Sequence, residues 1–470
     1  MNERVNRWLD DHREEMTELL KSWVRIPSLR SDPEPGAPFG RENRRMLDRA
    51  IADLRGMGYP VRDFDGYACD AAMGPEGEQI AVLGHLDVVP AGDGWETPPF
   101  EPVLRGSRLY GRGTNDDKGP VVAAIFAMNA IREAGIPLRR GIRLILGCDE
   151  ESEWEDMAYY MAHTDMPEMG FSPDAAFPLI NTEKAMVVLE LRGKAEPEGL
   201  RVIRMNGGTR VNVIPAECRA VVAGGPETAE KVRRLSREWQ LPYEARVTEE
   251  GVEITARGIG GHSAYPEGKR NAIGMMLVMF RDLGATGGLK QLAEAVGTES
   301  DGASLGCACR DGVSGPLTCN LGILRLEEDG SWFATLDFRC PVTADLKAIQ
   351  AAARARLSGW EAATAAEKPG HHVPAEGELV SDLLGAYREA TGLAGEPMAT
   401  GGGTYAKIMK QGVAFGAMFP DEEELAHQPN EFQDLDRLIL AAKIYAEALI
   451  RLCGQEDGGR ELTFTEEENR

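Results

Sequence analysis

Histidine is scarce in this chain, with seven in 470 residues. Positive charge is short as well: 52 Lys and Arg face 76 Asp and Glu, a formal net charge of −24. Such a surface repels nucleic-acid phosphates and anionic lipid headgroups, so neither is an expected partner. No run of about 18 apolar residues occurs, which excludes a spanning helix and leaves no membrane role to expect. The start, MNERVNRWLDDHREEM, lacks a basic segment followed by an apolar one, so no signal peptide is expected. The eight cysteines are scattered and form no CxxC pair. They read as the reduced thiols of a cytoplasmic protein, not as a disulfide framework or a thiolate metal site.

What is present is enough chain for two or three domains. Apolar positions at helical spacing (Val5, Trp8, Leu9, Met16, Leu19, Leu20, Trp23) predict one helix over residues 2–24, ended by Pro27. A second helix runs to Arg55 after a Pro- and Gly-rich loop. Residues 79–90 and 141–148 are short apolar runs that read as buried strands, with a helix over 120–134 between them. This alternation predicts an α/β sheet covered on both faces. After about residue 184 the pattern turns to alternating strand-like stretches with hairpin turns at Glu249–Gly251 and Asp329–Gly330, interleaved with helices near 227–239, 270–282 and 344–357. That is an antiparallel α+β unit. The α/β character returns near residue 378 and ends in a helix over 434–453. The expected domains are therefore 1–183 and 381–470, forming one unit, with 184–380 inserted into it. The polar tail from Gln455 is expected to be mobile.

Five segments carry acids or histidine at predicted strand ends. His85 closes an apolar strand, and Asp87 lies two residues on, placed to orient an imidazole. Alone, this pair fits a buried, satisfied histidine equally well. Asp116 and Asp117 sit in a Gly-rich turn ahead of a helix, where one carboxylate is an ordinary cap and two suggest a cation. Asp149, Glu150 and Glu151 follow a strand directly and repel one another unless compensated or solvated. Asp174 lies among apolar residues, and His427 in a loop before the last helix. Together they offer two imidazoles and at least three carboxylates at the carboxyl ends of one sheet, a ligand set for two adjacent divalent cations. Zinc suits these nitrogen and oxygen donors, and manganese or cobalt nearly as well. Spacing alone leaves open which of Asp116 and Asp117, and which of Glu150 and Glu151, binds metal.

The strings GHLDVVP, GRGTNDDKGP, DEES, PDAAFP and AHQPNE resemble, in order, the motifs of the di-zinc metallopeptidases that include carboxypeptidase G, aminoacylase, succinyl-diaminopimelate desuccinylase and carnosinase. GGGTYAK, VNVIPAE, the chain length and the large insert are most similar to the cytosolic dipeptidases called peptidase V. The resemblance spans about residues 10–453. It implies a zinc-exopeptidase-like α/β catalytic domain with a mostly parallel sheet, an inserted α+β lid, and a metal-dependent dipeptidase holding two divalent metal ions per chain. It assigns His85, Asp116, Glu151, Asp174 and His427 to metal, with Asp116 bridging and Asp117 not a ligand. Glu150 becomes the general base and Asp87 the holder of the His85 ring. In GGHSAYP, His262 becomes the donor to the developing oxyanion. Asn212, Arg339 and the turn Gly401, Gly402, Gly403 and Thr404 become substrate-binding groups, the turn offering N–H groups to the substrate carboxylate. By themselves, Arg339 reads equally as a surface ion pair, Asn212 as a turn residue and the glycines as a flexible loop. A lid this large implies a monomer that completes its own site. The competing readings are an N-acyl-amino-acid amidohydrolase of the same family and, from another class, a non-catalytic metal-dependent binding protein. The dipeptides this resemblance admits include the β-alanyl-histidine type, and the role of Gly284–Gly315 in the pocket stays open.

Overall fold

The computed structural model describes residues 1–194, 199–327 and 329–455. The tail expected to be mobile lies, from residue 456 on, outside the described residues. The chain divides into two compact units, one of Met1–Asn181, Val373–Met398 and Thr404 onward, the other of Thr182–His372 with Ala399–Gly403. The inserted unit thus begins two residues before the expected boundary, and its main segment ends at His372 instead of 380. The short turn Ala399–Gly403 also groups with it, which no pattern in the sequence announces.

The first unit is built on a sheet whose strands run in the order Val61–Phe64, Ala68–Met73, Gly141–Gly147, Gln79–His85, Met169–Ser172 and Gln411–Ala414. The last four are mutually parallel, and the first two join antiparallel at one edge. Alternate side chains of each central strand serve opposite faces. Ile80, Val82, Leu144 and Leu146 pack with the helices Lys118–Glu133 and Leu435–Cys453. Ala81, Leu83 and Ile145 pack with Met157, Tyr160, Tyr405 and Met409 on the other side. Each large side chain buried in this way contributes about 1.5–3 kcal/mol. With both faces covered, chemistry is left to the strand ends.

Two expectations are corrected here. The first helix is two, Glu3–Asp11 and Arg13–Val24, because His12 leaves helical geometry at φ −103° and ψ 16°. Its ring stacks on Trp8 at 3.8 Å, within one apolar-and-charged pattern that shows no break. The strand expected over 79–90 stops at His85. Leu86 N–H still reaches the Gly147 carbonyl, and beyond it the chain bonds elsewhere, Val88 N–H to the Ser28 carbonyl.

The second unit holds an eight-stranded antiparallel sheet, in the order Tyr243–Val247, Val252–Arg257, Glu217–Val222, Val202–Gly207, Thr318–Leu326, Ser331–Cys340, Ala185–Lys194 and Glu361–Lys368. Its core joins these strands to the helices Pro226–Trp239, Ala272–Asp282, Gly287–Ala295 and Leu346–Arg356. Gly287–Ala295 lies in the segment Gly284–Gly315, whose role the sequence leaves open. All eight cysteines are free, and only Cys309 is exposed.

Candidate metal centre

Four of the expected ligands sit at or just beyond the carboxyl ends of parallel strands or at a helix start. Gln79–His85 ends on His85, Gly141–Gly147 leads to Glu150 and Glu151, and Met169–Ser172 leads to Asp174. Asp116 stands just ahead of Lys118–Glu133. His427 comes from the loop before Phe432–Asp434, in the left-handed region at φ 64°. That conformation costs a non-glycine residue roughly 1–2 kcal/mol. The loop is held by Asn430, which accepts from Glu96 N–H at 2.7 Å and donates to the Gly94 carbonyl at 3.2 Å.

The structure gathers these groups into two triplets that share one carboxylate, His85–Asp116–Asp174 and Asp116–Glu151–His427. Asp116 Oδ1 lies 3.0 Å from His85 Nε2, and its Oδ2 lies 3.1 Å from His427 Nε2. Asp174 Oδ2 is 3.7 Å from His85 Nε2, and Glu151 Oε1 is 2.9 Å from His427 Nε2. Tetrahedral ligands at about 2.0–2.1 Å from a metal stand about 3.3 Å apart, so these separations fit two cations bridged by Asp116. Glu150 belongs to neither triplet.

The electrostatics fit the same occupants. Burial alone would lower the His85 pKa, but the carboxylates of Asp116, Asp174 and Asp87 outweigh it and hold it well above the ordinary value. Burial likewise works against protonated His427, yet Asp116 and Glu151 carry its pKa up to about 11. Burial, then the charge on Asp116, lifts Glu151 to about 7 and Asp174 to about 6. Glu150 is raised well above a usual carboxylate by burial first, then by Asp174, Glu151 and Asp116. Carboxylates that favour positive charge on both imidazoles despite their burial offer divalent cations the same stabilisation. The donor set therefore fits two divalent metal ions.

The surrounding backbone is fixed by carboxylates. Asp87 accepts the N–H groups of Glu150 and Glu151, at 3.2 Å to Oδ1 and 3.1 Å to Oδ2. It is the Asp87 backbone carbonyl, at 3.0 Å from His85 Nδ1, that meets the ring most closely; the side chain stands at 3.4 Å. Asp156, which sequence reasoning missed, continues this ladder by accepting Cys148 N–H at 2.6 Å and Asp149 N–H at 3.0 Å. Tyr405 donates its hydroxyl to the same Asp156 oxygen. Two glycines make the approaches possible. A Cβ on Gly84 would lie 2.6 Å from Asp117 Oδ2, and one on Gly147 would lie 2.4 Å from Asp156 Oδ2. Asp117 itself is fully buried, accepts His85 N–H at 3.2 Å and belongs to neither triplet.

The remaining expected site residues belong to the second unit, save Thr404. His262 lies in the strand Gly261–His262, paired with Val213–Ile214 just after Asn212. Its Nδ1 accepts Ala264 N–H at 3.2 Å, which puts the ring proton on Nε2 as a donor. Asn212 gives its carbonyl to Ser263 N–H at 2.9 Å. Arg339 is a buried residue, not a surface ion pair: Nη1 donates to the Gly401 carbonyl at 2.8 Å, and Nε and Nη2 to Asp337 Oδ2 at 3.1 Å each. Arg339 and the Gly401 turn are thus joined. Gly402 N–H bonds Thr400 Oγ1 at 3.0 Å, and Thr404 caps the short helix Tyr405–Ile408 through Ala406 N–H.

The profile of peptidase family M20/M25/M40 matches residues 81–451. YtjP of Bacillus subtilis, provisionally named a dipeptidase, is 33% identical over 94% of this chain and 97% of its own. A Staphylococcus aureus protein of the same provisional name is 32% identical over 93% of this chain and 97% of its own. The chain belongs to peptidase family M20/M25/M40, and it is an enzyme of the metallopeptidase class. Among solved structures, human carnosine dipeptidase 1 shares the fold at a TM-score of 0.58 and 16% identity, over 96% of this chain and 99% of that one. The di-peptidase Dug1p of Saccharomyces cerevisiae shares it at a TM-score of 0.60 and 14% identity, over 95% and 98% of the two chains. The family is metal-dependent, in keeping with the two triplets.

Proposed function

We propose that this protein is a cytoplasmic dipeptidase that hydrolyses its substrate with two divalent metal ions, zinc in the first instance, manganese or cobalt as substitutes. The observation that carries this reading is the pair of triplets bridged by Asp116, with Glu150 beside them in neither. The relatives provisionally named dipeptidases support the choice of substrate. His85 and Asp174 would hold one ion, His427 and Glu151 the other, with Asp116 common to both. When bound, the ions supply Lewis acidity and ease the ionisation of water near neutral pH.

Glu150 takes the proton of the attacking water and delivers it to the leaving amine nitrogen. A base must keep its lone pair, which is why it stands outside the ligand set. Asp87 and Trp154 hold it in place: Asp87 accepts its N–H, and Trp154 Nε1 donates to its carbonyl at 2.7 Å. His262 Nε2–H donates to the carbonyl oxygen as negative charge grows on it, and removing one such donor costs about 2.7–4 kcal/mol of barrier. Arg339, Asn212 and the turn Gly401, Gly402, Gly403 and Thr404 receive the free carboxylate of the substrate.

A metal-reconstituted substrate panel tests the reading. Dipeptides, β-alanyl-histidine among them, are expected to be cleaved, with tripeptides and N-acyl amino acids well behind. Comparable rates on tetrapeptides, or preference for N-acyl amino acids, would overturn it. We also propose that the enzyme acts as a monomer; size-exclusion chromatography with light scattering should give the mass of one chain, and a dimer would refute it.

A further inference from the structure

We propose that Glu431 is a positioning residue for both metal ions: it builds the loop that presents the bridging Asp116, and so sets the affinity of the whole pair without touching either ion. This rests on the two-metal reading above. Glu431 closes the AHQPNE string, and that reading gives it no task.

The geometry is specific. Glu431 is fully buried. Its Oε1 accepts three amide N–H groups of one turn, Gly113 at 3.0 Å, Asn115 at 2.8 Å and Asp116 at 3.2 Å. Its Oε2 accepts Arg112 Nη1 at 2.6 Å. Its backbone carbonyl accepts Gly111 N–H at 3.0 Å. One residue therefore holds the turn 111–116 at four amides and one guanidinium. Asp116 is the group common to both triplets, so its placement governs both.

Glu431 also lies four residues after His427. The loop that carries one ligand thus carries the group that shapes the turn bearing the bridge. Arg112 anchors the arrangement on its other side, with Nη2 on the carbonyls of Pro90 and Ala91 at 3.4 Å and 3.3 Å. A partner of a metal ligand that orients it is worth about 10- to 100-fold in metal affinity. The charge removed by Glu431→Gln acts in the same direction, since a carboxylate near two dications attracts them.

The experiment is a zinc competition titration of the full chain, comparing wild type, Glu431→Gln, His427→Ala and Arg112→Met, with melting temperatures of the metal-free forms. Wild type should bind two equivalents. Glu431→Gln should weaken both equivalents by about tenfold or more, whereas His427→Ala should lose one and keep the other. Arg112→Met leaves Oε1 on its three amides; it should lower the melting temperature yet move zinc affinity less than threefold. If Glu431→Gln leaves both affinities unchanged, or if Arg112→Met weakens them equally, the positioning role is overturned and Glu431 is a packing residue. If wild type binds fewer than two equivalents, the two-metal reading fails and this inference fails with it.

Discussion

Glu150→Gln is expected to keep two bound metal ions and to lose turnover by a factor of about 100 or more. The substitution preserves size and shape but replaces a basic carboxylate with an amide that takes up no proton near neutral pH. Glu150 stands outside both triplets, so metal content should not follow activity down. Its backbone bonds to Asp87 and Trp154 involve main-chain atoms, which glutamine retains. The position should therefore fold and bind as before. Metal content by mass spectrometry and kcat on a dipeptide are the two readouts. Turnover within a few-fold of wild type would remove Glu150 from the role of base, and loss of metal together with turnover would make it a ligand instead. The same pair of measurements on Glu151→Gln should show metal and turnover falling together, because Glu151 Oε1 is within 2.9 Å of His427 Nε2 and shares its triplet.

The residues of the two triplets are legible because most sit where local pattern is strong. His85 closes an apolar run, Glu150 and Glu151 follow one, and Asp116 precedes a helix; all three contexts are set by neighbours in sequence. The choice between Asp116 and Asp117 was not legible locally. It depends on Asp117 turning inward to the His85 amide, 32 positions away in the chain. The supporting carboxylates were invisible for the same reason. Glu431 meets amides more than 300 positions upstream, and Asp156 reads as an ordinary acid in the first turn of the helix Glu155–His163 until Tyr405 is seen to reach it. For Arg339, Asp337 lies two residues back on the same strand face, whereas the Gly401 carbonyl that closes over it is 62 positions away and leaves no local trace. Hydrogen bonds across long loops leave no periodicity, whereas strands and helices do.

Asp87 separates two roles that its position in the sequence merges. As a residue two beyond a histidine, it is expected to hold the imidazole. In the structure the backbone carbonyl of Asp87 is the nearer partner of the ring, and no substitution removes it. The side chain instead spans the amides of Glu150 and Glu151, one oxygen to each. Asp87→Asn leaves one of those amides facing an NH2 group that cannot accept, inside a site where an unsatisfied N–H costs about 1–3 kcal/mol. The amides will then shift, and the side chains that shift with them are the base and a ligand of the His427 position. Turnover should fall about 10- to 100-fold, with the ion at His85 and Asp174 retained because the ring keeps its carbonyl partner. Metal titration resolves the two positions, and kcat reports the base. If the ion at His85 is lost first while kcat per bound metal pair is unchanged, the side chain orients the ring after all. If kcat falls while that ion stays, the work of Asp87 is to place Glu150, and the acids at this strand exit are ordered by a carboxylate that binds no metal.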